Sequence, residues 1–253
     1  MEKGIGAFDP ALWPDRSKGY KELGWVNARG PLEKMVELIA PRGNEIILDV
    51  GTGTQAIPKE LAPLLPDGSI LAFDLSADML RADGTTSADL FRADAHQIPL
   101  AEGSVDVVTA RMILHHLEKP DVALEEMCRV LVPGGFMVVS EYVAIDEEIW
   151  TFERGVFDIK EPGRHLWTGD QLASLISSTL GVAVELDYAM MPRYSVRDWM
   201  GKSGLSPEVQ ERVLNCYLCA PQTIVKKMGI VYSDGDALVD RSFGFVRAFK
   251  QDE

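Results

Sequence analysis

The residues that carry the clearest chemistry lie between Glu45 and Pro58, in EIILDVGTGTQAIP, where an apolar strand reaches Asp49 and turns at once through Gly51 and Gly53. Gly51, Gly53 and Ala56 satisfy the G-x-G-x-x-A dinucleotide pattern, while Asp49-x-Gly51-x-Gly53 satisfies a second template. A glycine lets the backbone come close to a ligand because it presents no side chain. Asp49 separates the two templates. A pyrophosphate sits at a helix N-terminus free of other anions, and a carboxylate in that turn opposes it.

A cofactor with positive charge and no phosphate suits the same turn, and S-adenosylmethionine (SAM) has a sulfonium, an amino group and no phosphate. Asp74 ends the next apolar run, SILAFD, where a carboxylate accepts both ribose hydroxyls and repels a 2′-phosphate. Asp94, in RADAHQIPLAEGSVDVV, is placed to accept the adenine amino hydrogens, with the Ala95 amide donating to a ring nitrogen. Attack on a sulfonium methyl needs proximity, orientation and exclusion of water. A base is required only where the acceptor must lose a proton. His115 and His116, in RMILHHL, lie past the fourth expected strand and are candidates to touch substrate, His116 as a base. Arg164-His165 forms a second candidate pair, Arg164 orienting an anion and His165 relaying a proton. Tyr20, Trp25, Tyr142, Arg193 and Trp199 are candidates to line a substrate cap.

Behind these positions, short apolar runs alternate with helical segments, the pattern of βαβ units in a doubly wound, mostly parallel α/β sheet. Strands are expected at 45–50, 69–74, 89–93, 104–110 and 136–142, with helices near 55–65, 76–82 and 120–131. The turn VPGG is expected to separate the last of these helices from its strand. A helix is expected from Pro31, and another over TGDQLASLISSTLG with Thr168 as N-cap and Gly181 past its end. The strand VAVELDYAMM follows, then helical segments at 195–201 and 206–220, and SFGFVRAF closes the sheet, expected to have seven strands. Residues 143–167 read as an irregular connection. The expected organisation is an N-terminal arm and helix over 1–40 that forms part of the cap, then a cofactor-binding core over 41–253 with cap insertions at 143–167 and 193–235.

The chain has 253 residues, 46% of them hydrophobic, and a net charge of -14. That field repels nucleic acid, and no Lys/Arg cluster counters it. No apolar run approaches the roughly 18 residues of a membrane span. The N-terminus lacks the features of a secretory signal and the three cysteines are too few for a disulfide framework, so a cytoplasmic protein is expected. Cys216 and Cys219 have no second pair or nearby histidine, so no metal site is expected. The apolar face of SPEVQERVLNCYLCAP, at Val209, Val213, Cys216 and Tyr217, is suited to cover a substrate or to form a homodimer.

In order, ILDVGTGTQ, LAFDLSADML, FRADAHQIPLAEGSVDVVTARMILHHL and ALEEMCRVLVPGGFMVVSE resemble the class I SAM-dependent methyltransferases, and more narrowly the ubiquinone/menaquinone-biosynthesis branch. The resemblance covers residues 30 to 145. It implies a Rossmann-like fold, SAM as cofactor and methyl transfer to a small molecule. The family's glycine motif falls on Asp49, Gly51, Thr52 and Gly53, its ribose acid on Asp74 and its adenine contacts on Asp94 and Ala95. Leu75 and Met79 would flank the adenine, and Arg111 and Met112 would line the methionine end. Gln55 departs from the family, which usually has a third glycine there. Two other readings of the same residues are a dinucleotide-dependent oxidoreductase and a SAM-binding protein without methyl transfer.

Overall fold

The computed structural model describes residues 23–82, 88–201 and 204–251. Helix α1 (Arg29–Ile39) leads into strand β1 (Ile46–Val50), the glycine turn and helix α2 (Ala56–Leu61), followed by β2 (Ser69–Asp74), α3 (Ala77–Arg81), β3 (Asp89–Arg92) and β4 (Val105–Arg111). Helix α4 (Pro120–Val130), strand β5 (Leu131–Ala144), α5 (Glu147–Lys160), β6 (Trp167–Thr168) and α6 (Gly169–Leu180) come next. The chain ends with β7 (Val184–Ser195), α7 (Val196–Gly201), α8 (Pro207–Leu218), α9 (Gln222–Lys227), β8 (Val231–Ser233) and β9 (Asp236–Phe249).

The strands form one sheet in the order β3-β2-β1-β4-β5-β9-β7, with β6 paired to β5 and β8 to β9. Among the described residues that makes nine strands where seven are expected: the seven-strand path is present, and two short strands pair with the end of β5 and the start of β9. β3, β2, β1, β4 and β5 are parallel to one another, and β9 runs antiparallel to both β5 and β7. Parallel strands covered on both faces bury alternate residues in opposite directions. In β1, Leu48 and Val50 pack with Leu124 and Met127 of α4 and Leu172 and Ile176 of α6. Ile47 packs on the other face with Leu32 and Met35 of α1 and Ile57 and Leu61 of α2. With both faces covered, the carboxyl ends of β1, β2 and β4 remain as the edge where side chains and turns meet a ligand.

Three local readings change. α4 stops at Val130 as expected, but pairing resumes at Leu131, opposite Val105, and then jumps so that Val107 faces Phe136. The Pro133-Gly134-Gly135 turn is therefore a bulge inside β5. A Cβ at Gly135 would lie 2.8 Å from the Asp106 carbonyl. Residues 147–160, expected as irregular connection, form α5, capped by Asp146, whose Oδ1 accepts the Ile149 amide at 2.9 Å. Its buried side is Ile149, Glu153, Val156, Phe157 and Lys160, and the two charges in that stripe break the apolar period that marks a helix. The last strand begins at Asp236, because the polar stretch before Ser242 turns through the β8–β9 hairpin. α6 carries its Thr168 capping box and ends at Gly181 in the left-handed region (φ 68°).

α5, α7, α8 and α9 share a separate cluster that includes Val156, Val196, Val213 and Tyr217. A buried polar brace ties this cluster to β9. Arg241 Nη1 donates to both oxygens of Glu153 at 3.0 Å, and Arg241 Nη2 donates to the Tyr217 hydroxyl at 2.8 Å. Among the described residues, no helix is long and apolar enough to cross a membrane.

Candidate active site

The turn after β1 is built for close approach. Gly51 (φ 65°) and Gly53 (φ 53°) both hold left-handed backbone, and a Cβ on Gly51 would overlap Ile113. Asp49 stands opposite Thr109 across the β1–β4 ladder and accepts its hydroxyl at 2.6 Å. Burial drives the Asp49 carboxyl up to about 6, against the hydrogen bonds from Thr109 and Thr52 and the charge of Arg111. Asp74, at the end of β2, accepts the Ser76 amide at 2.8 Å on one oxygen and the Gly53 amide at 3.0 Å on the other. Burial raises its pKa, and those amides pull the other way. Ser76 caps α3 by accepting the Met79 amide, so Asp74 is not needed as the helix cap. Asp94 accepts the His96 amide at 2.9 Å and meets His96 Nδ1 at 2.7 Å. Burial opposes ionisation of Asp94, and the two His96 contacts outweigh it, holding the carboxyl below its usual range.

These groups line one cavity of about 250 Å³. Of the expected cofactor residues it brings together Asp49, Gly51, Thr52, Gly53, Asp74, Leu75, Met79, Asp94, Ala95, Arg111 and Met112. Gln55 is not among its walls. The residue holds the left-handed backbone a glycine would supply (φ 64°), but it is fully buried and its Nε2 donates to the Leu80 carbonyl at 3.1 Å. Its side chain is thereby engaged with α3, and the turn stays open.

A second cavity, of about 80 Å³, opens beside the first. Trp25, Met112 and His116 belong to the walls of both. Met112 has φ 58°, a strained backbone for a residue with a side chain, at the seam between the two spaces. Its amide donates to the Ser140 carbonyl at 2.7 Å, and the Tyr142 amide meets its sulfur at 3.1 Å. Tyr142, Phe157, Trp199 and Phe243 form apolar walls, while Lys160, Glu161, Arg164 and Arg241 supply charge.

His115 also lines this chamber. Its Nδ1 lies 2.6 Å from Glu141 Oε2, with His115 3% and Glu141 1% exposed by side chain. Burial pushes the Glu141 carboxyl up to about 7, against the charges of Arg164 and His116. Glu141 thus fixes the orientation of the His115 ring, and the two imidazoles lie 3.9 Å apart, centroid to centroid.

Not every expected substrate residue arrives here. His165 lines neither cavity and stacks on Trp167 at 5.5 Å. The adjacent Arg164 lines the smaller cavity instead. Arg193 also lines neither cavity; it occupies a β7 irregularity at φ 52°, with its amide donating to Asp240. Tyr20 lies outside the described residues. The sequence reading missed Glu141, Lys160, Phe157 and Arg241. For Glu141 a signal existed, an acid closing the apolar run FMVVSE beside the strand that ends at Arg111. The others come from α5 and from a strand entered through a polar hairpin.

A sheet of this order, with a glycine turn and an acid at the carboxyl end of its central strand, has the Rossmann-like fold of the class I SAM-dependent methyltransferases. Residues 48–139 match the family described as a methyltransferase domain, and the chain is similar there to ubiquinone/menaquinone-biosynthesis methyltransferases. A ubiquinone/menaquinone biosynthesis C-methyltransferase of Roseobacter denitrificans is 33% identical over 118 residues, which cover 44% of this chain and 47% of that protein. The chain spans about half the length of the curated relatives it matches, or less. Among solved structures, the YcgJ protein of Bacillus subtilis superposes with a TM-score of 0.75 at 16% identity, covering 88% of this chain and 98% of the other. A phosphoethanolamine N-methyltransferase of Haemonchus contortus, in complex with phosphomonomethylethanolamine and S-adenosylhomocysteine, superposes with a TM-score of 0.64 at 16% identity. It covers 99% of this chain and 61% of that one.

Proposed function

We propose that the protein transfers the methyl group of SAM to a small-molecule acceptor held in the smaller chamber. The observation that carries this reading is the shared wall: Met112 and His116 border both cavities, so a cofactor in one and an acceptor in the other meet at those residues. The larger cavity suits the cofactor chemically. Three carboxylates, Asp49, Asp74 and Asp94, face a ligand that is cationic and free of phosphate, and the guanidinium of Arg111 is turned to the Val26 carbonyl at 2.6 Å. The same acids oppose a pyrophosphate, which argues against the dinucleotide reading.

When bound, SAM supplies an electrophilic methyl on a sulfonium. The chain's own residues bind, orient and dry the reactants. Asp74 takes the ribose, Met79 and Leu75 flank the adenine, Asp94 and the Ala95 amide meet its edge, and Asp49 faces the cationic end. Trp25 and Val26, tethered by Arg111, close one side of the cofactor cavity. Where the acceptor must lose a proton, His116 stands at the seam and His115, oriented by Glu141, stands next to it. Incubation with methyl-labelled SAM and a metabolite extract is expected to yield a labelled small molecule. Tight binding of SAM with no labelled product from any extract would overturn methyl transfer.

A further inference from the structure

Resting on that reading, we propose that Met112 is a positioning residue for methyl transfer: its thioether, pinned to the backbone of β5, forms the partition that sets the spacing between the sulfonium methyl and the acceptor. The pinning follows from unequal strand lengths. β4 ends at Arg111, opposite Ser140, while β5 continues to Ala144. The Met112 amide adds one more bond to the ladder by donating to the Ser140 carbonyl at 2.7 Å. A regular parallel ladder would next give the Tyr142 amide to the Met112 carbonyl. At φ 58° the chain has left the strand, and that amide meets the Met112 sulfur at 3.1 Å instead. An N–H turned away from water needs an acceptor, and methionine is a long apolar side chain that offers one.

Two further observations indicate that the side chain itself is used. A bulky residue in the left-handed region carries a strain that glycine would not, so a position needing only the turn is better served by glycine. Here the strain comes with a side chain that borders both cavities and packs on the cluster of Tyr142, Phe157 and Leu166 beside the acceptor chamber. Methionine is normally among the most pliable of apolar side chains. Held at its amide by Ser140 and at its sulfur by Tyr142, Met112 loses that freedom. In the step it serves, a lone pair of the acceptor forms a bond to the methyl carbon while the carbon–sulfur bond breaks. The electron pair of the broken bond stays on sulfur, leaving neutral S-adenosylhomocysteine, and any proton on the attacking atom passes to a base or to water. The reacting atoms must lie about 3–3.5 Å apart and in line, and a misplacement of about 1 Å costs about a hundredfold. A rigid, uncharged partition at the seam supplies that alignment without opposing the sulfonium.

The test compares the full wild-type chain with three variants. Met112→Leu keeps an apolar side chain of similar size but gives the Tyr142 amide no acceptor, Met112→Gln offers an oxygen, and Met112→Gly removes the partition and the strain together. In NMR spectra of protein carrying isotope-labelled methionine methyls, the resonance lost in Met112→Leu identifies Met112. Its methyl axis should be far more ordered than that of the exposed Met190, and the resonance should shift when S-adenosylhomocysteine is added. Transfer of radiolabelled methyl into a metabolite extract should fall about ten- to a hundredfold in Met112→Leu and Met112→Gly, with Met112→Gln recovering part of the loss. That fall should exceed, by about tenfold or more, any fall in S-adenosylhomocysteine affinity measured calorimetrically on the same variants. A Met112 methyl as mobile as that of Met190, wild-type transfer rates in Met112→Leu or Met112→Gly, Met112→Leu matching Met112→Gln, or a loss of rate no larger than the loss of affinity would each overturn the proposal. Failure of S-adenosylhomocysteine to bind the wild type, or no labelled product from it, would instead overturn the methyltransferase reading on which the proposal rests.

Discussion

Asp49 is the most exacting test of the cofactor site, because its cost and its use have opposite signs. Its carboxyl is raised from 3.8 to about 6 by burial, so holding it ionised at neutral pH costs the folded protein about 3 kcal/mol. The folded state binds this proton more tightly than the unfolded chain. The stabilising contribution is therefore complete below about pH 4 and is lost as pH rises to about 6. SAM needs the opposite state, since its positive charges are complemented only by the carboxylate. Its affinity should fall as pH drops through about 6, about tenfold weaker at pH 5 than on the plateau. The titration belongs between about pH 4.5 and 7, where an α-amino group with pKa near 8 stays protonated. Asp49→Asn should remove that slope, weaken SAM binding at neutral pH by at least tenfold, and raise the unfolding free energy of the ligand-free protein by about 1–3 kcal/mol. Calorimetric affinities across pH, with denaturant unfolding of both proteins, measure each quantity. A SAM affinity that is flat across that window in the wild type, or Asp49→Asn binding as tightly as the wild type, would refute the reasoning.

Gly51→Ala should destabilise the fold by about 1–3 kcal/mol and abolish SAM binding, because the new Cβ must overlap Ile113 and adopt φ 65°; adding Ile113→Ala should restore part of the stability, measured by thermal unfolding, but not the φ strain. Glu141→Gln should leave SAM affinity unchanged and lower turnover roughly ten- to a hundredfold for an acceptor that loses a proton. The wild-type rate should rise with pH from about 7 as Glu141 ionises and fixes the proton on His115 Nδ1, and the variant's pH–rate profile should lack that rise. Arg241→Met strands the buried Glu153 and should cost about 3–5 kcal/mol in denaturant unfolding, most of it recovered in Arg241→Met/Glu153→Leu.

The sequence was most informative where one physical rule acted alone. The central parallel strands are runs buried on both faces, Asp49 and Asp74 lie at the carboxyl ends of β1 and β2, and Asp94 follows the exposed edge strand β3, so their meeting at one sheet edge follows from the fold. α6 was legible to the residue because Thr168, Gln171 and Gly181 are local capping signals. α5 was not, since Glu153 and Lys160 sit in its buried stripe and their partners, Arg241 and Glu161, are supplied by other parts of the chain or by the chain turn. Arg193 and His165 show the complementary failure. A polar residue beside a chamber in sequence has no periodic signal for the way it faces, and one residue's shift in a loop or at a β irregularity sends Arg164 inward and His165 to Trp167.

Gln55 shows why a motif and its mechanism separate. A third glycine is a means of supplying left-handed backbone at the start of α2, and what the cofactor turn needs is that φ together with an empty cavity wall. Gln55 meets both conditions: it adopts φ 64° and bonds the Leu80 carbonyl, away from the ligand space. The side chain's hydrogen bond offsets a left-handed strain of about 1 kcal/mol, so Gln55→Gly should change stability by less than about 1 kcal/mol and leave SAM affinity unchanged. A large loss of affinity in Gln55→Gly, measured by calorimetry, would mean that the amide reaches the cofactor after all and that the cavity is shaped by more than its backbone.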